Sequence, residues 1–162
     1  MVEEKLITLD INGLRCEARV AANQTLLETL RELGYFEVKS GCEKGDCGAC
    51  AVLLDGVAID SCLTLTWTVE GRSLTTVDGL STGENLHPLQ VAFIKHGSIQ
   101  CGFCTPGLII AAQSMLNATP DPSDEDIRLA LSGNLCRCTG YTKVFQAVRE
   151  VAGMMLEREK QS

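Results

Sequence analysis

Nine cysteines stand among 162 residues, and eight of them fall into two groups whose spacing suits metal chemistry. Cys42, Cys47 and Cys50 follow a C-x4-C-x2-C spacing, and Cys62 comes after a short apolar stretch. That is the plant-type arrangement by which four thiolates hold a two-iron, two-sulfide (2Fe-2S) cluster, although plant ferredoxins place the fourth cysteine farther along. The four-residue gap lets one loop wrap the cluster, while the last cysteine closes the cage from a neighbouring strand. Gly41, Gly45 and Gly48 are interleaved with these ligands. Four thiolates make such a cluster anionic, so backbone N–H groups must approach its sulfurs, and glycine permits both that approach and positive φ. Structural zinc prefers paired C-x2-C knuckles and matches this run poorly.

The second group is Cys101 and Cys104, spaced C-x2-C, with Cys136 and Cys138, spaced C-x-C. Taken alone, that set suits zinc as well. Its context points to iron. Pro106 sets Cys104 at a helix N-terminus, where unpaired N–H groups and the helix dipole favour a thiolate, and Gly140 likewise precedes the last helix. Two such helix starts facing each other cradle a dianionic cluster.

Other chemically capable residues read as structural. Cys16 lies far from any other cysteine in sequence and points inward with the apolar residues of a strand, as a small hydrophobe. Lys39 and Lys44 sit near the first cysteine loop as solvated cations, with no role assigned. Arg137, between two ligands, either raises the potential beside the second site, salt-bridges a carboxylate or lines a partner interface. Trp67, Phe103 and Tyr141 are expected in core packing or subunit burial. His87 reads as a turn residue at a helix start and His96 as a dipole partner at a helix end; neither has metal-ligand spacing. No nucleophile, general base or phosphate loop stands out, so no catalytic residue is expected.

The elements that must position these residues are legible. Ile7, Leu9 and Ile11 alternate with polar neighbours, Asn12-Gly13 supplies a two-residue turn, and Leu14, Cys16, Ala18 and Val20 alternate on the return, which predicts a β-hairpin over 6–20. Thr25 with Glu28 forms a capping box ahead of Leu26, Leu27, Leu30 and Leu33, and Gly34 supplies a left-handed stop, so a helix is expected over 25–33. Short strands follow at 51–54 and 57–59 around Asp55-Gly56, with another at 74–77. Beyond Gly79 the period becomes helical, at 87–96, 106–117, 124–132 and 142–157. The polar stretch from Leu80 to Asn85 is the expected boundary between domains over 1–79 and 80–162. The fold class is thus α+β followed by a helical unit, with a frayed tail from Glu157.

Composition excludes several classes. Fourteen basic residues against 21 acidic, with no Lys/Arg cluster, give the wrong field for nucleic acid or an anionic membrane surface. The longest purely apolar run, Leu108–Ala112, is far short of the ~20 residues of a membrane helix. Met1-Val-Glu-Glu does not begin an export signal, so the chain is expected in the cytoplasm, where an odd set of thiols stays reduced and holds metal rather than disulfides. Only 4% of residues are aromatic while 15 are glycine, which leaves room for something other than side chains in the interior.

Three blocks, Gly41-Cys-Glu-Lys-Gly-Asp-Cys-Gly-Ala-Cys50, Gln100-Cys-Gly-Phe-Cys-Thr-Pro-Gly107 and Gly133-Asn-Leu-Cys-Arg-Cys-Thr-Gly-Tyr141, closely resemble the iron-sulfur small subunit of the xanthine oxidase family of molybdenum hydroxylases. The resemblance runs from about Ile7 to Val151. It implies a β-grasp, ferredoxin-like domain with one 2Fe-2S cluster and a four-helix domain with a second. It also implies that Cys42, Cys47, Cys50 and Cys62 ligate the cluster nearer the flavin, and Cys101, Cys104, Cys136 and Cys138 the one nearer molybdenum. Gln100 and Cys138 would touch a molybdopterin cofactor on a large subunit, and a medium subunit would carry FAD, most simply as a heterotrimer or a multimer of it. Single electrons would then pass from the molybdopterin site through both clusters to FAD while the large subunit hydroxylates a purine, N-heterocycle, aldehyde or carbon monoxide. Such a chain has no turnover alone. Two other classes fit the cysteines: a free two-cluster ferredoxin-type carrier with an acidic docking surface, and a zinc-stabilised adaptor.

Overall fold

A computed structural model describes residues 2–159. Five strands, β1 (Glu4–Ile11), β2 (Leu14–Ala21), β3 (Ala51–Leu54), β4 (Val57–Asp60) and β5 (Ser73–Thr75), form one mixed sheet in the order β2-β1-β5-β3-β4. Only β1 and β5 run parallel. Helix α1 (Leu26–Glu32) follows the first hairpin, and α2 (Pro88–Lys95), α3 (Thr105–Ala118), α4 (Asp124–Leu131) and α5 (Thr142–Glu159) make the second half.

The hairpin turns on Asn12 and Gly13, both at positive φ, as a tight two-residue turn between right-twisted strands requires. Ile7, Leu9 and Ile11 are buried as the alternation predicts. Cys16 is half-buried against the same cluster, where its Sγ lies 3.8 Å from the Tyr35 hydroxyl. Leu14 departs from its expected inward place: it is 65% exposed, because it opens an edge strand at the hairpin tip. At α1 the Thr25 hydroxyl accepts from the Glu28 N–H at 3.2 Å, and Glu28 accepts from the Thr25 N–H at 2.8 Å. Gly34 at φ 95° ends the helix as expected.

Strand β5 is shorter than expected and ends at Thr75. The Thr76 N–H donates to Asn12 Oδ1 at 2.8 Å instead of continuing the ladder, and the chain turns into a 3-10 helix at Asp78–Leu80. Two further 3-10 turns, Ser61–Leu63 and Thr66–Val69, were not legible as repeats. The four later helices stand within two residues of their expected limits.

Strand β3 is buried on both faces. Val52 and Leu54 join Leu26, Leu27 and Leu30 of α1 in one core, while Ala51 and Leu53 join Ile109, Ala112 and Leu116 of α3 in the other. The helical half is therefore packed directly onto the sheet through apolar side chains, of which Leu53, Ile109 and Leu116 are each worth about 1.5–3 kcal/mol when fully buried. The edge strand β4 is covered by polar groups of α3: Ser114 Oγ accepts from the Ala58 N–H at 2.9 Å, and the Asn117 amide donates to the Gly56 carbonyl at 3.1 Å. That satisfies backbone groups an open edge would expose.

Candidate iron-sulfur sites

Cys42, Cys47 and Cys50 lie on the loop that enters β3, and Cys62 lies in the 3-10 turn that leaves β4. The β3–β4 hairpin thus returns the fourth thiol to the loop carrying the other three. Cys62 faces the same cleft as Ser40 and Glu43, which bracket Gly41-Cys42. Within the group, the Cys47 thiol bears on the titration of Cys42 and the Cys62 thiol on that of Cys50. In the second half Cys104 stands just before α3 without a side-chain capping bond, Cys136 and Cys138 lie between α4 and α5, and the Cys101 and Cys138 sulfurs meet at 3.7 Å. Cys101 and Cys138 are exposed, whereas Cys104 and Cys136 are half-buried. Among the described residues, no three His, Cys, Asp or Glu side chains gather as ligands of one metal ion. A two-iron cluster takes two thiols per iron, and Cys101 with Cys138 stand close enough to form such a pair.

The protonation states are split in each group. The Lys44 backbone N–H, then those of Asp46 and Cys47, hold the Cys42 thiol down to about 7, and the Asp46 N–H reaches its sulfur at 3.2 Å. Burial pushes Cys50 up to about 12, with the neighbouring Cys62 thiol adding to the effect. Burial also acts on Cys136, but the Thr139 hydroxyl, donating at 3.2 Å, and the Cys104 thiol outweigh it and bring Cys136 to about 7. Cys104 itself is raised to about 12 by burial and by Cys136. At Cys104 burial thus opposes the helix-start field that favours a thiolate.

Glycine has a physical reason at three of these positions. A Cβ on Gly41 would stand 2.8 Å from Cys47 Sγ. Gly48, at φ 65°, packs so closely on Asn134 and Gly133 that a Cβ would stand 2.4 Å from the Asn134 amide nitrogen. Gly107, inside α3, faces the Gly48 carbonyl, 2.2 Å from where its own Cβ would be. The two cysteine loops are thus in backbone contact.

Residues outside the ligand pattern complete the surroundings. Gln100 is exposed beside Cys101, and Arg137 is exposed with no ion pair among the described residues. Lys39 donates to the Phe36 carbonyl at 2.8 Å and Lys44 pairs with Asp46 at 2.9 Å, so both act locally. Trp67 packs in the first core and donates to the Val20 carbonyl at 3.0 Å. Phe103 is not a core residue: it is 47% exposed and its ring lies against Gly41 of the other loop. Tyr141 packs beside Phe145 as expected, but its hydroxyl also accepts from the Cys136 N–H at 2.6 Å. His87 caps α2, accepting at Nδ1 from the Leu89 N–H, and His96 at the end of α2 lies 2.7 Å from Glu150. Asn134 and Thr139 escaped the sequence reading, although both stand inside the Gly133–Tyr141 block.

Comparison with known proteins matches this geometry in order. Residues 9–78 match the 2Fe-2S iron-sulfur cluster binding domain, and residues 76–149 match the [2Fe-2S] binding domain. The nicotine 6-hydroxylase small subunit of Paenarthrobacter nicotinovorans is 47% identical over 150 residues, 92% of this chain and 90% of that one. The aldehyde oxidoreductase of Megalodesulfovibrio gigas is 44% identical over 156 residues, which are 94% of this chain and 17% of that longer polypeptide. In the crystal structure of quinoline 2-oxidoreductase from Pseudomonas putida 86, one chain superimposes with a TM-score of 0.90 at 43% identity, covering 95% of this chain and 97% of that one. An α+β ferredoxin-like unit followed by a helical 2Fe-2S unit, matched along nearly its whole length, places the chain among the iron-sulfur subunits of the xanthine oxidase family of molybdenum hydroxylases.

Proposed function

We propose that this chain is the electron-transfer subunit joining a large molybdopterin subunit to a medium FAD subunit in a heterotrimer or a multimer of it, with two separate ligand sets. Cys42, Cys47, Cys50 and Cys62 hold one cluster, and Cys101, Cys104, Cys136 and Cys138 hold the other. The observation that carries the reading is the direct contact between two cysteine-bearing loops, where the Leu135 N–H donates to the Cys47 carbonyl at 2.9 Å, with the Cys101 and Cys138 sulfurs 3.7 Å apart beside it. A 2Fe-2S cluster bound at each site supplies one-electron redox chemistry. The chain contributes distance, field and water exclusion rather than acid–base groups.

The exposed pair Cys101 and Cys138, with exposed Gln100 beside it, supports docking of the second site against the molybdopterin subunit. Gln100 offers a donor and an acceptor suited to a pterin edge, and Cys138 approaches the same cofactor. The first site, on the sheet half, faces the FAD subunit. Residues 1–79 and 80–162 form the two domains, one ligand set in each. Eight ligands that must stay reduced suit the cytoplasm, and no helix among the described residues is long and apolar enough to cross a membrane. The likeness to subunits named for nicotine and quinoline supports an N-heterocycle as the substrate class of the whole complex. Relatives named as subunits, or continuous with a longer oxidoreductase, favour a fixed partner over a free carrier.

The test is elemental analysis of the tagged chain, purified gently from its own cells, with iron, molybdenum and zinc counted together. Iron and molybdenum with two copurifying subunits is the expected result. Iron without molybdenum would favour the free carrier, and zinc alone would overturn both.

A further inference from the structure

We propose that Asn134 is a positioning residue that fixes the separation of the two thiol sites, held in place by the Tyr141 hydroxyl. The inference rests on the ligand map proposed above and adds a residue that binds neither cluster. Asn134 is a buried polar side chain, 5% exposed, between the end of α4 and Cys136. Its own backbone N–H finishes α4 by donating to the Leu131 carbonyl at 3.0 Å, so the side chain is not needed for that cap. The side-chain amide instead crosses to the other site and donates to the Gly48 carbonyl at 3.0 Å. Next to it, the Leu135 N–H donates to the Cys47 carbonyl at 2.9 Å. Consecutive residues of one loop thus grip consecutive carbonyls of the other, immediately beside a ligand on each side.

The grip is tied back to the second site. The Asn134 carbonyl accepts from the Tyr141 hydroxyl at 3.0 Å, and that hydroxyl accepts from the Cys136 N–H. Tyr141 holds φ 64°, a conformation costly for a residue with a side chain, which persists only where surroundings over-determine it. A continuous hydrogen-bonded path therefore runs from Cys136 through Tyr141 and Asn134 to Gly48. Gly48 and Gly107 leave no space for another side chain to take over the contact. Without the Asn134 amide, the buried Gly48 carbonyl keeps, among the described residues, the longer bond from the Ala51 N–H, 3.3 Å, and the loops lose their side-chain tie.

The test uses the assembled complex purified from its own cells, carrying Asn134→Ala or, separately, Tyr141→Phe, which removes only a hydroxyl. Iron per chain is counted, and the magnetic interaction between the two centres is read by low-temperature electron paramagnetic resonance after dithionite reduction. The expected result is iron equal to the parent complex with a smaller and broader splitting in Asn134→Ala, and a lesser change of the same sense in Tyr141→Phe. Full iron with unmoved splitting in both variants overturns the inference, and so does iron loss from one site in both, which would make these residues keepers of a cluster. If Asn134→Ala does not assemble, Tyr141→Phe decides alone. A parent complex without iron overturns the proposed function itself, whereas a parent with iron whose splitting ignores both substitutions overturns only the positioning role.

Discussion

Replacing Gly107 by alanine sets two physical effects against each other at one atom. Inside a helix the change normally stabilises by about 0.8–1 kcal/mol, because glycine loses more backbone freedom on folding. Here the new Cβ would lie 2.2 Å from the Gly48 carbonyl oxygen, 1.2 Å inside an ordinary 3.4 Å contact, and 3.1 Å from the Asn134 amide nitrogen. The obstacle is backbone, so it cannot swing aside as a flexible side chain would. Overpacking of that kind costs about 1–3 kcal/mol, and displacing Gly48 strains the Asn134 hydrogen bond, worth about 0.5–1.5 kcal/mol. The net expectation is a loss of about 1–3 kcal/mol, or a fall in Tm of about 3–9 °C for a chain of this size. Gly153 in α5 is the internal control: it is exposed, a Cβ there meets nothing within 4 Å, and alanine should raise Tm by about 2–3 °C. Thermal scans at one fixed rate compare the two variants with the parent, and the opposite signs of their shifts decide the outcome. Gly107→Ala as stable as the parent, with Gly153→Ala raised, would show that the two loops do not press on each other there.

Cys138→Ser should remove or retune the second cluster and impair electron exit from the molybdenum site, while Cys42→Ser should interrupt transfer toward FAD; iron content and the resonance of each reduced centre report this, and two intact signals in either variant refute the ligand map. Gln100→Ala should leave iron unchanged and weaken the hold on the pterin, read as molybdenum retained per complex; loss of iron with molybdenum unchanged reverses the assignment. Glu150 is held below its ordinary value of 4.5 by hydrogen bonds from Lys95 first and His96 second. A depressed carboxylate gives stability that is present above 4.5 and lost as pH falls through the lower folded value. Glu150→Gln should therefore lower Tm at neutral pH and close the gap to the parent in acid; a gap independent of pH would refute the pairing.

The chemistry of the chain is written locally, in cysteine spacing, glycines and helix signals. The first hairpin, the capping box at Thr25 and the four later helices all follow from short-range pattern, because turn geometry and helix capping are settled within a few residues. Strand β5 ended early because Asn12, far away in sequence, captured the Thr76 N–H. Of the two places expected for Phe103, core or subunit interface, the structure removes the first: its ring lies over the opposite loop, because an aromatic between two cysteines carries no local sign of which surface it meets.

The contact of Cys101 with Cys138, the burial around Cys104 and the contact between the two loops belong to tertiary structure alone. Desolvation depends on what the whole fold places around a sulfur, and at Cys104 it opposes the helix-start field. Asn134 bonds to a carbonyl 86 residues away, and Gly107 is glycine because of Gly48, not because of its own helix. The sequence by itself determined which atoms could hold metal; only the packing of α3 and the α4–α5 loop against the β3 approach decided how the two sites are held together, because close backbone approach is a relation between distant segments that no local pattern encodes.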